Sequence, residues 1–359
     1  MKRILFIVPN NYTEVGGYKK PIVNYGKQLS RQGYEINYIA VEYRVNTRLN
    51  NIEKNNIKKT MEGCDCVICF FPNPAYMFFK QVMKGKKEIK AIAYLADSME
   101  LNAKSIIKHS SSLKIKTKEL IKSMLYHYRE KKNLSYFNSV IYVSYVDAEY
   151  AKKIHQNAKS LIKVIPQGMS VPQNRIHYRT DNDNIVLGML TGFSNDSFQN
   201  NVIPFITEIF PILYKRFSSI KLIIAGKGAS EAQRKVMDTV EGCSYIGFVP
   251  KLSDFYGKIN ASIITVKKDC GLVNRILESW AYGVPVISFA RNSKTILYEY
   301  EDAPVITADT PDEFIEGLNF LKDIDIEGFR ERCIGFVSEN YNWDISTNKL
   351  IHLMEDENA

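Results

Sequence analysis

No apolar run in the 359 residues approaches the roughly 20 that a membrane-crossing helix needs, so no segment is expected to span a bilayer. The amino-terminal Met1-Lys2-Arg3-Ile4-Leu5-Phe6-Ile7-Val8-Pro9 resembles a secretion signal only superficially. Its apolar run is short and Asn10-Asn11-Tyr12 turns where a cleavage site would follow. It reads instead as a first buried strand, and a cytoplasmic protein is expected. Histidine is scarce: five residues, none with a partner at metal or catalytic spacing. His109, His127 and His155 are expected on helices and His177 in a linker, as surface or structural residues, and no Ser-His-Asp triad can be argued. Of the six cysteines, Cys64, Cys66 and Cys69 form C-x-C-x-x-C, but inside a run that reads as a buried strand. No second Cys/His cluster accompanies them, so structural thiols are expected and no metal site. No nucleic-acid-binding signature is present either, and no nucleic-acid partner is expected.

What is there is a chain that is 45% hydrophobic and 24% charged, long enough for two domains with separate cores. Net charge is +9, and much of it is concentrated. Residues 104–132 carry nine Lys/Arg against two Glu, a net +7, interleaved with Ile106, Ile107, Leu113, Ile115, Leu120, Ile121, Met124 and Leu125. Such a stretch suits either an anionic membrane surface or solvated helices covering a sheet. Peripheral attachment at the inner membrane face is therefore one expectation.

Short β-like runs alternate with helical patterns along almost the whole chain. In the first half they are Arg3–Pro9, Glu35–Val41, Asp65–Phe71, Ala91–Ala96, Val140–Ser144 and Lys163–Pro166. The second half has Ile185–Leu190, Lys221–Ala225, Ser244–Val249, Ser262–Val266, Val284–Phe289 and Pro304–Thr307. Buried strands separated by helices imply parallel sheets covered on both faces, hence an α/β chain of two Rossmann-like domains. The turn-rich 168–184 stretch is the natural linker. The expected division is 1–177, 178–340 and a terminal helix over 341–359. Ligands of such sheets bind beyond the carboxyl ends of the strands, so facing domains would enclose a cleft.

The densest pattern is Gly271-Leu272-Val273-Asn274-Arg275-Ile276-Leu277-Glu278-Ser279-Trp280-Ala281-Tyr282-Gly283-Val284-Pro285-Val286-Ile287. It reads as loop, helix and buried strand. Gly271 allows close backbone approach to a ligand, and the helix N-terminus offers unpaired N–H donors to an anion such as phosphate. Arg275 could add charge and Glu278, three residues on, could accept from a sugar hydroxyl; an ordinary surface ion pair fits the same spacing.

This segment resembles the signature of retaining glycosyltransferases of family 4, with Gly271, Arg275, Glu278, Ser279, Ala281, Gly283, Pro285, Val286 and Ile287 matching. The resemblance implies the GT-B fold. It implies a nucleotide-diphosphate sugar as co-substrate, with no cofactor and no bound metal. It also implies Glu278 at the ribose, and Arg275 with the Gly271-Leu272-Val273 helix start at the diphosphate. A glycan or lipid-linked acceptor and a polysaccharide-assembly role follow from the same likeness. Two positions depart from the family. Many members have a second glutamate where this chain has Cys270, beside Asp269, which could take over sugar contact. Many also have an Arg and a Lys in the loop after the first strand of the second domain, where this chain has Gly192 to Asn201 without a cation. Lys267, Lys268 and Arg275 would then have to supply the charge, with Lys227 a further candidate.

Other positions carry weaker signals. Gly16-Gly17 sit where a helix begins after the first strand and could line a phosphate or acceptor site, or simply make a tight loop. Asp97 ends a strand where it could accept from a sugar hydroxyl, but Asp97 or Ser98 could equally cap the next helix. Tyr128-Arg129-Glu130 and Ser144-Tyr145-Val146-Asp147 resemble the polysaccharide-assembly branch, although the acid and serine suit helix ends. Phe248 and Val249 resemble residues that flank the nucleotide base; packing in a core suits Phe248 as well. Asn342-Trp343-Asp344 resembles the start of a helix that crosses back to the first domain. Two other readings stay open: a non-catalytic GT-B subunit that binds a partner transferase or glycan, and a sugar-nucleotide epimerase.

Overall fold

The structure is a computed structural model describing residues 2–10, 12–13, 16–42, 48–83, 89–110, 112–178, 184–194, 197–217 and 219–356. The chain forms two compact units: residues 1–168 with 270–272 and 342–359, and residues 169–269 with 273–341.

The first unit contains β1 (Arg3–Pro9), β2 (Glu35–Val41), β3 (Cys66–Phe70), β4 (Lys90–Ala96), β5 (Ser139–Tyr142) and β6 (Leu161–Val164). All pair in parallel, in the order β2-β1-β3-β4-β5-β6. β1 and β3 are apolar at nearly every position because helices cover both faces. The period of two then divides one strand between two cores. Leu5, Ile7, Val67 and Cys69 pack in one, and Ile4, Phe6, Val8, Cys66 and Ile68 in the other. Cys66 and Cys69 thus lie on opposite faces of one sheet, the geometric reason the C-x-C-x-x-C run cannot converge on an ion. All six cysteines are free thiols.

The second unit contains β7 (Val186–Leu190), β8 (Lys221–Ala225), β9 (Cys243–Tyr245), β10 (Ala261–Ile264), β11 (Val286–Ser288) and β12 (Val305–Thr307). They also run parallel, in the order β12-β11-β10-β7-β8-β9. Leu187, Met189, Leu222, Ile224, Ala261, Ile263 and Ile287 form the larger core of this unit, and Val186, Ala225, Phe255, Tyr256 and Ile259 pack in a smaller one. All twelve strands read from the sequence are present. Two are half as long as expected: of Val284–Phe289 only Val286–Ser288 pairs, and the Ser244–Val249 run pairs only to Tyr245. Gly247 takes φ +80° there, which turns the backbone out of the ladder.

The helix Trp343–Glu355 packs with the first unit. Asn342 caps it by accepting from the Ile345 N–H at 2.8 Å, and the Trp343 ring meets Tyr25 edge-on at 5.4 Å. Its far end is held by Lys2 and the Tyr34 hydroxyl, both 2.8 Å from Glu355 Oε1. Among the described residues no helix is long and apolar enough to cross a membrane.

Candidate active site

The second sheet has the strand order of a doubly wound fold, and its direction of winding reverses between β7 and β10. Ligands of such sheets sit outside the carboxyl ends of the strands near that switch point. Gly192 follows β7 and is exposed, Lys227 follows β8 and is exposed, and Lys268 and Asp269 follow β10, partly buried. These four sequence candidates therefore share one edge of one sheet. Gly226 keeps two of the loops together: a Cβ there would lie 1.9 Å from the Thr191 carbonyl oxygen, and its N–H donates to Gly247 O at 2.9 Å. Phe248, beyond the end of β9, is 64% exposed, so core packing does not explain it; Val249 is partly buried against the smaller core.

Arg275 and Glu278 lie on the helix Asn274–Ala281. Ile276, Leu277, Trp280 and Ala281 bury one face of it, which leaves Arg275 and Glu278 together on a partly buried flank. Val273 precedes the helix and supplies no capping side chain, and its carbonyl accepts from the Ile276 N–H at 2.9 Å. The buried Tyr256 donates to Glu278 Oε1 at 3.3 Å and stacks on Tyr282 at 4.8 Å between ring centres. Burial lowers the Arg275 pKa, against the opposing pull of Tyr256 and Glu278. A guanidinium in that setting gains from a close anionic ligand. The pair offers a cation and a hydroxyl-accepting carboxylate one helical turn apart.

Residues 270–272 group with the first unit. Gly271 has φ +69°, and a Cβ on it would stand 2.6–2.7 Å from the Asp97 carboxyl atoms. Its N–H donates to Asp147 Oδ2 at 2.7 Å. Only glycine meets both conditions, the left-handed backbone and the close carboxylate. Cys270 is buried with its thiol 3.6 Å from Asn102 Oδ1, and Leu272 packs against the Phe6 core. Val273 is also buried.

Asp97 follows β4, and Ser98 rather than Asp97 caps the helix Met99–His109, accepting from the Leu101 N–H. The Ser98 N–H donates to Asp147 Oδ1 at 2.8 Å and its hydroxyl to Glu130 Oε2 at 2.9 Å. Ser144 caps the helix Tyr145–Ile154, as its place in the sequence suggested. The Ser144 and Asp147 side chains are hydrogen-bonded to each other. Several acids thus gather behind Gly271. Burial pushes Glu130 up to about 8, assisted by the charges of Glu100 and Asp147 and opposed by donors from the Glu100 backbone and Ser98. Burial, with repulsion from Asp97, lifts Asp147 to about 6. The roles of Glu130 and Asp147 as buried, partly protonated anchors were not legible. Their sequence signals were a family-branch resemblance and residue types that suit helix ends, and neither speaks of burial; Glu130 lies inside the helix Leu113–Tyr136.

Two expectations need correction. The histidines are not all without partners, because His127 and His155 converge on Glu100 although they lie 27 and 55 residues from it in sequence. His155 stands just past its helix as the terminal capping residue and is buried. The basic 104–132 stretch is not wholly a solvated face, since Glu119, Arg129 and Glu130 are buried within it. Gly16 and Gly17 open the helix Gly16–Arg31 after β1, as expected, while residues 14 and 15 before them lie outside the described residues, as do 195 and 196 of the Gly192 loop.

Two parallel six-stranded sheets with flanking helices place the molecule in the α/β GT-B class. Residues 186–323 match the family model described as Glycosyl transferases group 1. An uncharacterized glycosyltransferase of Haemophilus influenzae is 19% identical over 345 residues, 89% of this chain and 90% of the relative. Among solved structures, sucrose-phosphate synthase of Thermosynechococcus elongatus superposes with TM-score 0.72 at 12% identity, covering 98% of both chains. HepE of Anabaena in complex with UDP-glucose gives 0.62 at 12% identity over 99% of both. WaaG, a glycosyltransferase involved in lipopolysaccharide biosynthesis, gives 0.62 at 12% identity over 98% of this chain and all of that one. Together these likenesses support a GT-B glycosyltransferase.

Proposed function

We propose that the chain is a retaining, metal-independent glycosyltransferase that moves a sugar from a nucleotide-diphosphate donor to a glycan or lipid-linked acceptor. The observation that carries the reading is the Arg275–Glu278 pair on a helix whose N-terminus has no side-chain cap, next to loops gathered at the strand ends of a doubly wound sheet. In this assignment Glu278, steadied by Tyr256, accepts from the ribose hydroxyls, and Phe248 and Val249 flank the base. Arg275, Lys268, Lys227 and the backbone at the start of the helix Asn274–Ala281 face the diphosphate, with Gly192 leaving room for it. Asp269 contacts the donor sugar, Cys270 keeps the loop in place, and Asp97, Gly16 and Gly17 serve the acceptor in the first unit.

The reaction breaks the bond from the anomeric carbon to the diphosphate oxygen and forms one from the acceptor oxygen to the same face of that carbon. The acceptor proton passes to the departing phosphate, so the nucleoside diphosphate leaves as the second product. Separating charge at the phosphate is the costly part, and oriented N–H donors and fixed cations stabilise it without reorganising.

The structures of HepE with UDP and with UDP-glucose make UDP the first nucleotide to try. Calorimetric titration of UDP, GDP, ADP and CMP into wild type and Glu278→Ala tests the reading. Saturable binding of one diphosphate, weakened at least tenfold by the substitution, supports it, and slow donor hydrolysis would establish turnover. No binding across the panel refutes the donor-site assignment and favours the non-catalytic subunit, which the buried Cys270 in place of an acid also suits.

The acceptor side extends to a membrane surface in the same proposal. Leu113, Leu120, Ile121, Met124 and Tyr128 are all at least half exposed and recur on one face of the helix Leu113–Tyr136, with lysines alongside. An apolar stripe flanked by cations suits an anionic bilayer from which a lipid-linked acceptor would be drawn, and peripheral attachment to the inner membrane face of the cell follows.

A further inference from the structure

Glu100, His127 and His155 come from three separate helical segments of the first unit, and one ligand atom from each lies within 4.8 Å of the others. Glu100 is buried with its two oxygens in different surroundings. Oε1 takes Lys104 Nζ at 2.7 Å and the Tyr150 hydroxyl at 2.8 Å. Oε2 is left to the imidazoles, with His127 Nδ1 at 3.0 Å and His155 Nε2 at 3.8 Å. The two rings are 4.9 Å apart between centroids. His155 Nε2 is buried and makes no hydrogen bond, an arrangement that costs free energy unless something binds there.

We propose that Glu100 Oε2, His127 Nδ1 and His155 Nε2 form a binding site for a divalent transition-metal ion of the zinc class. Bonds of about 2.0–2.1 Å in a tetrahedron put neighbouring ligand atoms roughly 3.3 Å apart, a value bracketed by the two oxygen–nitrogen separations here. The remaining adjustment falls to His127, whose side chain is half exposed, with water as the expected fourth ligand. The donor set of two imidazoles and one carboxylate is one that zinc accepts. Lys104, as a cation beside the Glu100 carboxylate, opposes the ion.

None of the three ligands belongs to the donor-binding assignment, so the ion has a structural role: it ties the helix Met99–His109 to the helix Leu113–Tyr136 and to the end of the helix Tyr145–Ile154. Chelator-stripped full-length protein is titrated with zinc against a chromophoric chelator, and with cobalt by visible absorption. Wild type is expected to bind one equivalent, show the d–d bands of tetrahedral cobalt, and unfold at a higher temperature with zinc. His155→Ala and His127→Ala should each weaken binding roughly 100-fold or more, above the 10–100-fold typical of a lost outer-shell partner, and abolish the thermal shift. Lys104→Met should tighten it. Because His127 is half exposed, its variant folds even if a change at buried His155 does not. Three results would overturn the site: no stoichiometric zinc uptake, uptake unchanged in the His127 variant, or a cobalt spectrum dominated by thiolate charge transfer.

Discussion

Gly271→Ala should destabilise the first unit through two separable effects. The residue holds φ +69°, where a Cβ costs about 1–2 kcal/mol. The added carbon would also stand 2.6–2.7 Å from three atoms of the Asp97 carboxyl group, and relieving that contact should cost about 1–3 kcal/mol more, as for other overpacked sites. The substitution is therefore expected to cost about 2–5 kcal/mol in an Asp97-containing protein but only about 1–2 kcal/mol in an Asp97→Ala background, where the backbone penalty alone remains. The chain has two tryptophans, and they report separately: Trp343 belongs to the first unit and Trp280 to the second. Urea unfolding followed by Trp343 fluorescence, with Trp280 replaced by Phe throughout, gives the four stabilities of a double-mutant cycle. A coupling of about 1–3 kcal/mol is expected. Equal costs in the two backgrounds would mean that Gly271 and Asp97 do not meet, and the account of this loop would fall.

Glu130 provides a pH test. Its native pKa of about 8 exceeds the ordinary 4.5, so between those values the folded chain holds a proton that the unfolded chain has released. Stability from this group is complete below about pH 4.5 and is lost as pH rises through 8; Asp147, raised to about 6 from 3.8, acts in the same direction. Glu130→Gln should flatten the decline between pH 5 and 9 in urea titrations, and parallel wild-type and variant profiles would refute the shift. Phe248→Ala, at a site 64% exposed, should leave stability within about 0.5 kcal/mol while weakening nucleotide binding about 3–10-fold by calorimetry. Unchanged affinity would remove Phe248 from the base site. Replacing Leu120, Ile121 and Met124 together with Ser should abolish co-sedimentation with phosphatidylglycerol vesicles while preserving the circular dichroism spectrum; retained binding would place membrane contact elsewhere.

The twelve strands were legible because parallel strands covered on both faces must be apolar almost throughout, and such runs stand out between helical patterns. Ends were less legible. β9 stops at Tyr245 because Gly247 turns left-handed, and nothing local separates that glycine from one a strand tolerates. At the strand-to-helix junction after β4, either Asp97 or Ser98 was chemically able to cap, and the contacts of Asp147 and Gly271 settled which one does. Phe248 read equally well as core or as base platform until the early end of its strand left it exposed.

Periodicity and the spacing of Gly271, Arg275 and Glu278 are local properties, so the sequence by itself determined the two parallel α/β halves, the strand-to-helix order and the helix that carries the candidate donor pair. The gathering of Gly192, Lys227 and Lys268 at one sheet edge depends on the order β10-β7-β8, which follows from how the strands pair and not from any one of them. The same holds for the acids behind Gly271, and for Glu100 with His127 and His155. These groups are brought together by helices packing on a sheet. Their pKa shifts and any affinity for an ion arise only there, because burial and neighbouring charge are properties of the assembled core.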